Sequence, residues 1–220
     1  MIPPEKTGEF VAAMERVLAV YKRTYDPRNP VIGMDESPKQ LIGQTREPIP
    51  ARPGCPARED YEYVRNGICC IFMACEPLSG KRLVRVEERK TKQDWAQFVQ
   101  TISKAYPDAE KITLVMDNLN THSPGALYET FAPQTAKALL DRFEFVFTPK
   151  HGSWLNVAEI ELNVLNGQCL KRRIADIETV RAEATAWQNA RNNKNAKVDW
   201  QFTVANARTK LKRLYPTLQG

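Results

Sequence analysis

A chain of 220 residues can bury a sizeable core, as one large domain or two small ones, and its 42% hydrophobic and 26% charged content is that of a soluble globular protein. No signal peptide is evident, and the longest apolar run, residues 68–75, is far short of the roughly 20 residues that span a bilayer, so a membrane role is excluded and a cytoplasmic one expected. The net charge of +6 favours a polyanionic partner such as nucleic acid, while five cysteines with no CxxC pair and no Cys/His cluster argue against zinc and read as small core residues in a reducing compartment.

In chain order, Phe10, Val11, Met14, Val17, Leu18 and Tyr21 recur at three- and four-residue spacing and predict an amphipathic helix ending near Asp26-Pro27. Residues 31–34 are a short apolar run, read as a buried strand that ends on Asp35. Pro38, Pro48, Pro50, Pro53 and Pro56 crowd residues 36–65, which predicts extended loop with at most a strand or hairpin. Residues 67–76 read as a buried strand, and 82–89, where apolar and charged residues alternate, as its half-exposed partner. Trp95, Phe98, Val99 and Ile102 place a helix over 91–106. A central strand at 112–116 ends on Asp117. A helix at 133–142, a strand at 143–147, a long helix at 154–173 and two last helices at 177–192 and 204–215 complete the chain. Strands first, then strands alternating with helices, predict an α/β fold: a mixed sheet flanked by helices on both faces.

Ligands in such sheets collect at the carboxyl ends of strands. A lone strand-end Asp followed by Asn118 is equally at home in a turn, so the set carries the reading. Two strand-end aspartates, Asp35 and Asp117, stand with a helix-borne glutamate and with basic and amide side chains. Carboxylates gathered together repel unless a cation lies between them, and hard oxygen ligands suit Mg²⁺ or Mn²⁺. On the helix, Glu159 shares a side with Asn156, Asn163 and Asn166 beside an apolar stripe, and Glu161 projects roughly 160° away. The two cannot serve one site, and Glu159 is the choice; the alternative is that Glu159 is an ordinary solvated helix residue and Glu161 the one half-buried in a pair. His122 and His151 are candidates for proton transfer or phosphate contact, with turn capping as an equal alternative. Basic residues at 81–92, at Lys171, Arg172 and Arg173, and at 208–213 suit a phosphate backbone, and Trp154 could stack a base.

The stretches DESPKQL (35–41), LVMDNLNTH (114–122) and TPKHGSWLNVAEIELNVL (148–165) resemble the three catalytic blocks of bacterial insertion-sequence transposases of the mariner superfamily. YDPRNPV, REPIPARPG, DYEYVRNG, LVRVEERKT and KLKRLYP extend the resemblance over nearly the whole chain. Ser37 departs from it, standing where a basic residue is more usual. The resemblance implies a ribonuclease H-like fold and a DDE triad of Asp35, Asp117 and Glu159. It implies two Mg²⁺ (or Mn²⁺) ions on that triad, activating water and then a 3′-hydroxyl for in-line attack on phosphodiesters. The implied partners are DNA, as terminal inverted repeats and target, and a second copy of the chain in a synaptic complex, in the cytoplasm of a bacterium and associated with its nucleoid.

On that reading residues 1–28 are a helix and linker following a helix-turn-helix module that the sequence lacks. Residues 29–175 are the catalytic core, and 176–220 a helical extension packed on it. Lys150, His151, Trp154, Asn156, Asn120, His122, Lys171, Arg172 and Arg173 are the candidate contacts to DNA or to the triad. The expected activity is cut-and-paste DNA transposition, and the alternative is a catalytically silent DNA-binding or dimerising regulator.

Overall fold

The computed structural model describes residues 7–217; the opening Met1-Ile2-Pro3-Pro4 and the last three residues of the predicted extension lie outside them. Five strands form one sheet: β1 (Val31–Gln44), β2 (Tyr63–Glu76), β3 (Lys81–Glu87), β4 (Ile112–Met116) and β5 (Phe143–Phe147), in the order β3-β2-β1-β4-β5. β1, β2 and β3 are antiparallel neighbours, whereas β4 runs parallel to β1 and β5 parallel to β4. The mixed α/β sheet is therefore the one the element order predicted.

Alternation along each strand sorts the core into two layers. Ile32, Met34, Phe72, Leu114 and Met116 face one side. There they meet Trp95, Phe98 and Ile102 of α2 (Lys92–Ala105), Leu127 of α3 (Pro124–Thr130) and Leu139 of α4 (Pro133–Arg142). Ile71 and Met73 face the other side, against Leu162 of α5 (Val157–Leu165) and Val180 and Trp187 of α6 (Ile177–Asn193). Val115 and Val146 share that second side with Met14, Val17 and Leu18 of α1 (Gly8–Tyr21) and with Ala207 of α7 (Val204–Lys210). Helices thus cover both faces.

The strand predicted to stop at residue 34 runs on to Gln44, so Asp35 sits within a strand and not at its end. The reason is pairing that local pattern cannot show. β1 meets β4 only over Val31, Ile32 and Gly33, but it meets β2 from Gly33 to Gln44. Beyond Gly33 one side of β1 is open, and an open edge tolerates Pro38. The predicted helix at 154–173 is also divided. Ser153–Leu155 form a 3-10 turn, Asn156 caps α5, and Asn166–Leu170 form a π turn. The last predicted helix, 204–215, ends at Lys210 before a 3-10 turn over Lys212–Leu214. Helix α3, with Pro124 in its first turn, was not predicted. Cys69, Cys70 and Cys75 are buried in β2 as expected, but Cys55 is exposed and Cys169 partly so.

Two packing features place α5 and seal the sheet. A Cβ on Gly33 would lie 2.4 Å from Val157 Cγ1, so glycine lets the first turn of α5 approach β1 this closely. Gly33→Ala is expected to cost about 1–3 kcal/mol by overpacking in urea denaturation, and Val157→Ala added to it should restore most of the loss. At the sheet's edge, α6 supplies what a sixth strand would have given. Gln188 Oε1 accepts from Val84 N–H at 2.6 Å, Asn192 exchanges two bonds with the backbone of Arg82, and Arg181 Nε donates to Val86 O. Covering an edge in this way removes a template for unwanted pairing.

Candidate active site

Asp35, Asp117 and Glu159 all come to the face covered by α5. Asp35 follows Gly33 in alternation on β1, and Asp117 follows Val115 just past the end of β4. Glu159 lies in the first turn of α5, whose start is fastened to β1 by Asn156. That buried amide accepts from Ala158 N–H at 3.1 Å as the helix cap and donates Nδ2–H to Met34 O at 2.7 Å. Tyr21 Oη accepts from Val157 N–H at 3.2 Å, tying α1 to the same helix end. The turn before α5 is set by Gly152, where a Cβ would lie 2.6 Å from Pro149 Cγ, and by Thr148 N–H donating to Met116 O beside Asp117.

Asp35 feels both its burial and its acidic neighbours. Burial, first, pushes the Asp35 carboxyl up to about 7. The N–H of Glu36 pulls the other way, donating to Asp35 Oδ1 at 2.8 Å, but the charges of Asp117, Glu36 and Glu159 add to the rise. Among the described residues no three Asp, Glu, His or Cys side chains stand close enough to enclose a cation unaided. The donor set still fits a hard divalent ion: oxygen ligands only, with burial and then neighbouring negative charge keeping Asp35 partly protonated near neutrality.

A pH dependence follows. Because the folded pKa of Asp35 is raised, its contribution to stability is complete below the unfolded value of 3.8 and is lost as pH rises through about 7. A bound cation offsets this loss. Mn²⁺ is therefore expected to raise the melting temperature more at about pH 8 than at about pH 5.5; an equal shift at both would show that Asp35 does not take part.

Glu161, the alternative on the same helix, is spent elsewhere. It is 1% exposed, with Arg82 donating Nε–H and Nη2–H to its two oxygens at 2.9 Å each and Arg191 reaching both at 2.8 and 3.0 Å. Glu159 is half-buried and, among the described residues, has no ion pair.

Residues 30–181 match the model of the DDE superfamily endonucleases. The chain belongs to that family. Among solved structures it is similar to a pre-cleavage Mos1 transpososome (TM-score 0.66, 14% identity), covering 100% of this chain and 66% of that one. It is similar too to the Mos1 mariner paired-end complex with Mn (0.62, 15%, 100% and 66%) and to the Mos1 strand transfer complex (0.59, 16%, 97% and 62%). The chain thus spans at most 66% of the length of these relatives, and at such identities the likeness is one of fold: the ribonuclease H-like sheet expected from the sequence. No curated protein matches it.

Within this DDE endonuclease the remaining predicted residues divide. Lys150, His151, Asn120 and Lys171 are exposed, with His151 in the left-handed region at φ 63°. Trp154 is 40% exposed and packs edge-on to Phe202, so one side stays open. Others are already engaged. Asn156 is buried as the α5 cap and cannot touch DNA. His122 is 2% exposed, stacked on Trp95, between Asp117 and Glu36. Arg173 donates to Gln44 Oε1 and Glu62 O and covers Tyr63, while Arg172 pairs with Glu183 at 2.6 Å. In the basic run at 81–92, Arg82 is turned inward to Glu161, while Arg85, Lys90 and Lys92 keep part of their side chains in solvent beside Glu87, Glu36 and Glu129. Sequence reading passed over Glu36; adjacency to Asp35 was its only signal.

Proposed function

We propose that this DDE endonuclease is the catalytic domain of a mariner-type DNA transposase, cutting and joining DNA ends with Asp35, Asp117 and Glu159 as metal ligands and residues 29–175 as its core. The observation that supports the reading is the gathering of three carboxylates, from β1, the end of β4 and α5, toward one face of the sheet, where the charges of Asp117 and Glu159 reach the buried Asp35. Mg²⁺ or Mn²⁺, two ions with DNA bound, would supply an activated water or 3′-hydroxyl and stabilise the leaving oxygen. The chain's own part is to fix the ligands. Gly33 and Asn156 set the height of α5 above β1, and the Pro149–Gly152 turn sets where Lys150 and His151 meet a phosphate backbone.

The proposed partners are terminal-repeat and target DNA and a second copy of the chain. No helix among the described residues is long and apolar enough to cross a membrane, and a cytoplasmic, nucleoid-associated setting suits the DNA substrate. The test is nicking of supercoiled plasmid and joining of a pre-cut 3′-hydroxyl end, with Mn²⁺, Mg²⁺ or chelator. Activity that chelator removes supports the proposal. DNA binding without cleavage at any metal concentration would overturn it in favour of a silent DNA-binding fragment.

A further inference from the structure

The parallel ladder between β1 and β4 ends at the pair Gly33 and Val115. Asp35 and Asp117 each lie two residues beyond it. No β1–β4 ladder hydrogen bond therefore holds the backbone of one candidate ligand to that of the other, and their charges drive them apart. Something else must set their spacing.

Strand alternation sends the side chain of Glu36, next to Asp35, to the opposite face of the sheet, the side of Trp95 and Phe72. Its side chain is 1% exposed, and neither oxygen has an aligned hydrogen bond. The cations that approach it are His122, with Nε2 3.2 Å from Oε2, and Lys90, with Nζ 3.6 Å from Oε1. A buried carboxylate so poorly satisfied is costly. The other edge of the His122 ring meets Asp117: Nδ1–H donates to the backbone oxygen at 3.1 Å and lies 2.7 Å from Oδ1. Trp95, at 5.8 Å between ring centroids and 28° between planes, fixes the imidazole's tilt.

We propose that Glu36 is a positioning residue for the reaction, acting through His122 to hold Asp117 at a fixed distance from Asp35. The path is closed. Asp35 is joined to Glu36 by the chain, Glu36 faces His122, and His122 faces Asp117. It takes over where the ladder stops, on the face of the sheet packed against Trp95 and Phe72. The side chains of Glu36 and His122 are both buried. The proposal rests on the reading of Asp35 and Asp117 as metal ligands, and its test is arranged to separate the two.

Glu36→Gln keeps the shape and removes the charge. Calorimetry should show Mn²⁺ affinity about 10–100-fold weaker, and the Mn²⁺ concentration giving half-maximal nicking should rise by a similar factor. The metal-saturated rate should recover to within a few-fold of the parent, and Glu36→Asp should be intermediate. A role in folding alone would lower the melting temperature and leave Mn²⁺ affinity unchanged in the folded fraction; that result overturns the proposal. A metal-free readout guards against failure of the ligand reading. In thermal melts without divalent ions, Glu36→Gln combined with His122→Asn should lose little more stability than the worse single variant, because both cut one path. Additive losses would overturn the strap even if Mn²⁺ binds, whereas coupled losses with no Mn²⁺ uptake by the parent chain would overturn the ligand reading and leave the Glu36–His122–Asp117 strap standing.

Discussion

Asp117→Ala is expected to lower metal-dependent nicking by on the order of 10³-fold or more while the domain stays folded. The two halves of that expectation have separate causes. Asp117 lies beyond the last residue of β4, outside any ladder pair, and its side chain is 29% exposed, so its removal leaves no cavity in the core. Its loss also relieves Asp35 of one of the charges that raise its pKa, which offsets the broken contact to His122. The chemistry has no such substitute. Glu36 faces the other side of the sheet, and Glu161 is enclosed by two arginines. Plasmid nicking alongside a thermal melt checks both halves. Near-normal cleavage by the folded variant would remove Asp117 from the site.

The distinction between Glu159 and Glu161 shows how much of the site the sequence carried. Helical periodicity alone put the two on different sides, and the structure buries Glu161 in an ion pair while leaving Glu159 beside exposed Asn163 and Asn166. Periodicity is a local property, and it reached the order of strands and helices as well. What it could not reach was pairing. Nothing near Asp35 in sequence tells that residues 36–44 continue a strand, because their partners are at 63–72. Basic residues meet the same limit. Arg82 and Arg173 look like part of a phosphate-binding surface when counted along the chain, yet Arg82 is enclosed with Glu161 and Arg173 donates to Gln44. Asn156 and His122 were legible as polar residues near the ligands, but their roles as helix cap and carboxylate bridge depend on Met34 and Glu36, more than 80 residues away.

Arg82→Ala is expected to be the most destabilising single change outside the apolar core, by about 3–5 kcal/mol. Arg82 is 0% exposed on β3 and Glu161 1% exposed on α5, and their paired bonds of 2.9 Å leave no room for water. A buried ion pair adds little over a well-packed apolar pair, because desolvation consumes most of the Coulombic gain. Removing one partner is different: Glu161 would keep only Arg191, on α6, and a charge left short of partners in the interior is costly. Burial works against the Glu161 charge, but Arg82 and Arg191 override it and hold its carboxyl below the usual glutamate value. The stability it contributes is thus present above the unfolded pKa of 4.5 and is lost as pH falls through the lower folded value. The gap between parent and Arg82→Ala in urea denaturation should accordingly narrow in acid. Glu161→Gln in the Arg82→Ala background should recover part of the loss, since it removes the stranded charge. α5 also carries Glu159, so a loosened Glu161 should weaken Mn²⁺ binding in the variant even where it remains folded. Unchanged stability in Arg82→Ala would mean that the apolar contacts of Leu162 and Leu165 alone hold the helix in place.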